Sequence, residues 1–146
     1  MTDLILAITH HIFVFGLVAM MMATRVLLQG PQVDPLRLAR LDAGAGATAA
    51  LVLAVGVCRV IWGGKGWAFY EANPFFWGKV ACFAVLGVLT IPGTIAFLKW
   101  GKARSVNAAF QPAASEVASL RRLTGLQALA LIPLLAFAAA MARYPF

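Results

Sequence analysis

Charge is what this chain has least of. Only 12% of its 146 residues are Asp, Glu, Lys or Arg while 62% are hydrophobic, against a charged share near ~25% in soluble domains. A soluble domain of this size is excluded. Acid is scarcer still, five residues against twelve Lys and Arg. The resulting net charge of +7 does not signal nucleic acid, because the cations flank apolar runs and form no solvent-facing stripe. Cysteine is limited to Cys58 and Cys82. Without a C-x-x-C or C-x-x-C-H pattern, neither a redox dithiol nor a covalent haem attachment is signalled. Both read as small buried apolar residues, and a disulfide between them would require neighbouring helices. No basic residue precedes Arg25, the reverse of a secretory leader, so the first apolar run is expected to stay in the protein.

What is abundant is long apolar sequence. Four runs, Leu4–Leu28, Ala43–Trp62, Phe76–Leu98 and Gly125–Met141, each approach the ~20 residues that span a hydrocarbon core. They predict an all-α integral membrane protein, a four-helix transmembrane bundle forming a single domain over residues 1–146. The charged residues bracket the runs at the same scale, since Lys79 to Lys99 and Arg122 to Arg143 each cover about 30 Å at ~1.5 Å per residue. Arg25, Arg37, Arg40, Lys99, Lys102, Arg104, Arg121 and Arg122 flank the first and third loops, against Arg59, Lys65, Lys79 and Arg143 at the other end. The positive-inside rule then places Gln29–Leu41 and Gly101–Leu120 in the cytoplasm and both termini outside.

Punctuation residues divide the chain. Gly30-Pro31 stops the first helix. Asp34 as cap and Pro35 in a first turn predict a short interfacial helix before the second span, with Arg37 and Arg40 as topology signals and local ion-pair partners. Gly44, Gly46, Ala47 and Ala50 predict a tight inner crossing, leaving room in the bundle only towards its outer end. Gly63-Gly64 and Gly66 break the second helix, and Asn73-Pro74 restarts the third. Pro92 interrupts that helix, with Thr90 or Thr94 placed to bond the freed carbonyl. The fourth span holds Pro133 and follows an amphipathic lead-in from Glu116 to Arg122.

The stretch Arg59 to Lys79 carries three of the four tryptophans, Trp62, Trp67 and Trp77, with Arg59, Lys65 and Lys79 among them. An aromatic belt with snorkelling cations would produce such a stretch. The sharper reading is the ceiling of a site, because His10 and His11 lie at a similar depth, about 10 Å in from Asp3 at ~1.5 Å per residue. Ionisable groups at that depth mark function. His10, His11, Arg59, Lys65, Trp77 and Lys79 form a candidate cationic site, with Asp3 and Glu71 the only acids at that end. An external anion would balance it: porphyrin propionates, a quinone-type headgroup or a lipid phosphate. Adjacent helical residues point about 100° apart, so the two histidines cannot both be axial to one haem. A zinc or di-iron site lacks ligands. A haem would be five-coordinate or weakly ligated, which favours chemistry over pure electron transfer. His10, His11 and Lys79 are the residues expected to act chemically, and His10, whose face continues through Phe13, Leu17 and Met21, is the expected iron ligand. His11 shares a face with Arg25.

Several motifs carry a resemblance. R-L-A-R-L-D before span two, G-x-x-R-V-x-W-G-G-K-G at its end, F-Y-x-x-N-P-x-F-W-x-K opening span three, I-P-x-T within it and the closing M-A-R resemble a family of uncharacterised four-helix bacterial inner-membrane proteins. That family is distantly similar to HemJ-type protoporphyrinogen oxidases and the CopD-type membrane domain. The resemblance implies a multi-pass protein of the bacterial inner membrane, haem b as cofactor, and functional roles for a first-helix histidine, matched by His10 or His11, and an early third-helix lysine, matched by Lys79. HemJ-type proteins carry further histidines in later helices, and this chain has none.

The expected function is binding of haem b or another porphyrin-like anionic ligand at the outer leaflet, in a redox role, with membrane lipid as surroundings and porphyrin or quinone as ligand classes. A non-enzymatic accessory or scaffold subunit and a small transporter are the rival readings, and either could assemble as a homo-oligomer or within a larger membrane complex.

Overall fold

The computed structural model describes residues 1–144 and holds α1 (Thr2–Gln29), α2 (Pro35–Trp62), α3 (Gly66–Ala72), α4 (Pro74–Val106) and α5 (Ala114–Arg143). Every helix but α3 is long and apolar enough to cross a membrane. Even the shortest of the four, with 28 residues, runs about 42 Å at ~1.5 Å per residue, beyond a ~30 Å hydrocarbon core. The extra length absorbs segments expected to be separate. Asp34 accepts hydrogen bonds from the Leu36 and Arg37 amides, Pro35 takes the first turn, and α2 then runs unbroken to Trp62. The expected interfacial helix is the first turns of the span itself. The lead-in around Glu116 is likewise continuous with α5.

The break after α2 falls where glycine predicts it. Gly63 closes the helix through its amide on the Arg59 carbonyl, and a Cβ at that position would collide with the same oxygen. Gly66 takes a left-handed φ of 73°, a conformation that glycine adopts without steric penalty. Asn73 is fully buried and its side chain accepts from the Phe75 amide, restarting the chain at Pro74. Between these signals lies α3, a short helix that glycine punctuation alone does not reveal.

The long helices form a closed ring in the order α1, α2, α4, α5, each touching only its two neighbours. Their packing is uneven along the axis. The main core, Leu28, Val33, Leu38, Phe97, Trp100, Val117 and Leu120, lies at the end carrying the Gly30–Asp34 and Asn107–Ala113 connections, here the loop end. Trp100 is buried there and its Nε1 donates to Glu116 at 3.1 Å. Arginines finish the closure. Arg121 donates from Nε to the Leu28 carbonyl at 2.6 Å and from Nη2 to Gly30 at 3.3 Å, and Arg25 reaches the Arg121 carbonyl. At the opposite, terminal end the buried side chains thin out to Val52, Tyr70, Asn73 and Leu86. The main core does sit at the loop end, but the room is not confined to the outer end as expected: a small cavity among Thr24, Asp42 and Gln127 lies towards the loop end. Gly44 makes the close approach, with Met20 Sδ 3.4 Å from where its Cβ would stand, whereas Gly46 faces open space. Ile5, Ile8, Ile12, Phe15, Val88, Ile95 and Ile132 are exposed on the outside, the surface lipid would cover.

At the Pro92 interruption the threonines do not act as expected. Thr90 donates to Gly87 at 2.7 Å and Thr94 to the Asp42 carboxylate at 3.2 Å. Gln127 of α5 places its amide nitrogen 2.8 Å from the Leu89 carbonyl, one residue past Val88, whose carbonyl is the one the proline leaves without its helical donor. Both threonine hydroxyls are engaged by other acceptors, so neither bonds the carbonyl freed by Pro92.

Candidate functional site

His10 and His11 diverge as helix geometry demands, their rings at right angles with centroids 6.2 Å apart. His11 is exposed, and its Nδ1 lies 2.6 Å from the Ala7 carbonyl of its own helix. The polar seam suggested by the shared face with Arg25 does not form around it, since Arg25 turns to the start of α5. His10 turns inward against α2. A Cβ at Gly56 would stand 3.4 Å from His10 Cε1, so the missing side chain makes room for the ring. His10 Nδ1 is buried without a hydrogen-bond partner.

Arg59 lies one helical turn beyond Gly56 on α2, and its Nε is also buried without a partner. Lys79 comes from α4 and faces the bundle. Its Nζ lies 4.0 Å from Met141 Sδ of α5 and 5.6 Å from the centre of the Phe76 ring. Beside it, Gly78 lets α5 come close, because a Cβ there would meet the Phe137 ring at 2.8 Å. Lys79 and Arg59 are near enough to repel each other, and both positive charges act on His10. Three of the sequence candidates thus share one place: His10, Arg59 and Lys79, drawn from α1, α2 and α4.

The remaining candidates sit elsewhere. Lys65 lies 4.1 Å above the Phe69 ring, and Trp77 donates to the Glu71 carbonyl while meeting Trp67 edge to face. All of these except Phe69 are exposed, as an interfacial belt requires. The two acids at this end do not neutralise the cluster. Asp3 lies against Gly63 and Gly64, with Oδ1 3.1 Å from a Cβ at Gly63, and Glu71 is exposed. No ion pair forms at the cluster among the described residues. Cys58 and Cys82 are free thiols on adjacent helices. Sequence reasoning missed Gly56, Gly78 and Met141. The first two are glycines inside apolar helices, where a close approach is the usual reason for glycine, and Met141 opens the closing M-A-R.

Among the described residues, no group of three or more His, Cys, Asp or Glu could hold a metal ion. What the cluster can do is bind negative charge at the looser end of the bundle, with one imidazole among the cations. Four membrane-length helices closed in a ring, apolar outside and cationic inside one end, define a small multi-pass integral membrane protein. Residues 2–144 match the family described as Predicted membrane protein (DUF2214), and the chain belongs to that family. No curated protein and no solved structure matches the chain.

Proposed function

We propose that this protein binds an anionic amphiphile at the His10, Arg59 and Lys79 cluster, and that the ligand is a carboxylate-bearing tetrapyrrole, haem b foremost. The observation that carries this reading is the pair of buried, unpartnered nitrogens, His10 Nδ1 and Arg59 Nε, beside Lys79 with no ion pair among the described residues. Buried cationic groups without partners are costly within a bilayer. A bound dianion would offset that cost at both Arg59 and Lys79.

The residues fit such a group in kind. Arg59 offers a planar fork suited to one carboxylate, and Lys79 a point charge suited to a second. His10 would supply the single imidazole for iron, and Met141 a thioether near Lys79. Haem b held there by His10 would supply redox chemistry. The chain's own part is to hold the carboxylates, exclude water with Phe75 and Phe76 above Lys79, and keep the imidazole oriented against Gly56. The eight basic residues at the loop end favour a cytoplasmic loop end, which supports reading this cluster in the outer leaflet of a bacterial inner membrane.

Lys65, Trp67 and Trp77 read differently. Their exposure and ring contacts favour a role in seating the bundle at the interface.

The test is an absorption spectrum of the full chain purified from haem-replete cells, with extraction and mass spectrometry of whatever co-purifies. A Soret band that His10→Ala abolishes is the expected result. Colourless protein retaining only phospholipid would refute the tetrapyrrole while keeping the anion site, and retention unaffected by Arg59→Gln with Lys79→Gln would refute the site.

A further inference from the structure

A second polar place lies towards the loop end, at the centre of the ring. A cavity of about 40 Å³ is lined by side chains from all four long helices: Thr24 of α1, Asp42 of α2, Thr90 of α4, and Thr124 and Gln127 of α5, above Phe97. A space of roughly 10–15 Å³ on this measure already holds a water, so the cavity admits an ion with a water or two. Phe97 and Leu120, which belong to the main core, are also part of its lining.

The hydrogen bonds around it run in one direction. Thr90 donates its hydroxyl to Gly87, Thr124 donates to Arg121, and Gln127 turns its amide nitrogen to Leu89. Asp42 accepts from Thr94. The Thr90 and Thr124 hydroxyl hydrogens are therefore engaged by backbone carbonyls, leaving their lone pairs, the Thr24 hydroxyl oxygen and the Gln127 carboxamide oxygen available as acceptors beside a carboxylate. Thr124 and Gln127 are buried, and Asp42 is half-buried with Thr94 as its hydrogen-bond partner. No cationic side chain pairs with Asp42 among the described residues. An acceptor-lined cavity with one uncompensated carboxylate inside a membrane span attracts positive charge.

We propose that this cavity is a binding site for one small monovalent cation of the sodium class. Oxygen is the donor that hard cations take, and Asp42, Thr90, Thr124 and Gln127 offer only oxygen. One carboxylate balances one charge, which disfavours a divalent ion. The Pro92 interruption places the site on the part of α4 whose ladder is already opened, next to Gly93, where backbone can approach a ligand. This site is separate in residues and in ligand charge from the cationic cluster.

Binding of ²²Na⁺ to the full chain in lipid nanodiscs, by scintillation proximity, tests the proposal, with melting temperature compared in sodium and choline chloride at equal ionic strength. Saturable binding of about one ion per chain is expected, with a melting point raised by sodium as mass action requires. Asp42→Asn should weaken binding by about tenfold or more. Thr124→Val should weaken it without removing the carboxylate, which keeps the test informative if Asp42→Asn fails to fold. His10→Ala should leave sodium binding unchanged, separating this site from the tetrapyrrole reading. Absence of saturable binding to the wild-type chain, a melting point that follows pH but not sodium, or full binding by both cavity variants would overturn the proposal.

Discussion

The His10 imidazole occupies the space that a side chain at position 56 would take, with Cε1 3.4 Å and Nδ1 3.8 Å from a Cβ built on Gly56. A larger residue there must displace the ring or part α1 from α2. Gly56→Leu should therefore reproduce the ligand loss of His10→Ala, with an overpacking cost of about 1–3 kcal/mol. Gly46→Ala, at a glycine of the same helix with nothing within 4 Å, should leave the ligand in place. Retained pigment or lipid per mole of protein, measured beside thermal unfolding, separates the two effects.

The two histidines should differ. His11 hydrogen-bonds within α1 and faces outward, so His11→Ala should change stability by no more than about 0.5 kcal/mol and leave the ligand bound. His10→Ala should remove the ligand signal, since no other imidazole occupies that face. Equal effects from both substitutions would contradict the division of roles.

At the next turn outward, Gly78 and Phe137 should behave as a coupled pair. A Cβ at position 78 meets the ring at 2.8 Å, so Gly78→Ala should destabilise by about 1–3 kcal/mol despite alanine's better helix propensity. Phe137→Ala opens the same space. The double variant should then be less destabilised than the two single losses added together, by at least about 0.5 kcal/mol in a mutant cycle.

The spans were legible because apolar length and glycine-proline punctuation act locally: Asp34-Pro35, Gly63 and Asn73-Pro74 end or start helices where their own chemistry requires it. Helix extent was less legible, since Arg37 and Arg40 read as part of a separate short interfacial helix, whereas α2 runs through them unbroken from Pro35. The inward turn of His10 and the facing of Lys79 followed from helical periodicity. The order of the helices around the ring did not, and it is the ring that joins Arg59 to Lys79 while leaving Lys65 and Trp77 at the rim. The central cavity was hidden for a related reason. Thr24, Asp42, Thr90 and Gln127 are far apart in sequence, and each looks like an isolated polar residue until four helices bring them together.

Arg121 ties the start of α5 to the end of α1 through the Leu28 and Gly30 carbonyls, where a cation also meets the negative end of the α1 dipole. Arg121→Met should lower stability by about 1–2 kcal/mol, with the exposed position keeping the loss modest. Arg121→Lys should recover only part of it, because an ammonium lacks the fork that reaches both oxygens. The midpoint of thermal unfolding in detergent, with membrane insertion checked separately, reads the difference.

Orientation follows from which end carries the cations, and labelling in intact cells can decide it. With Cys58 and Cys82 first replaced by serine, single cysteines at Ser105 and Ala68 report opposite ends, both positions being exposed. Asn73 would be a poor reporter at the terminal end because it is fully buried and caps α4. Eight basic residues flank the loop end against four at the terminal end, so a membrane-impermeant maleimide should label position 68 in intact cells and position 105 only after permeabilisation. The reverse pattern would turn the protein over. It would move the His10, Arg59 and Lys79 cluster to the cytoplasmic leaflet, where the supply of anionic ligands is different.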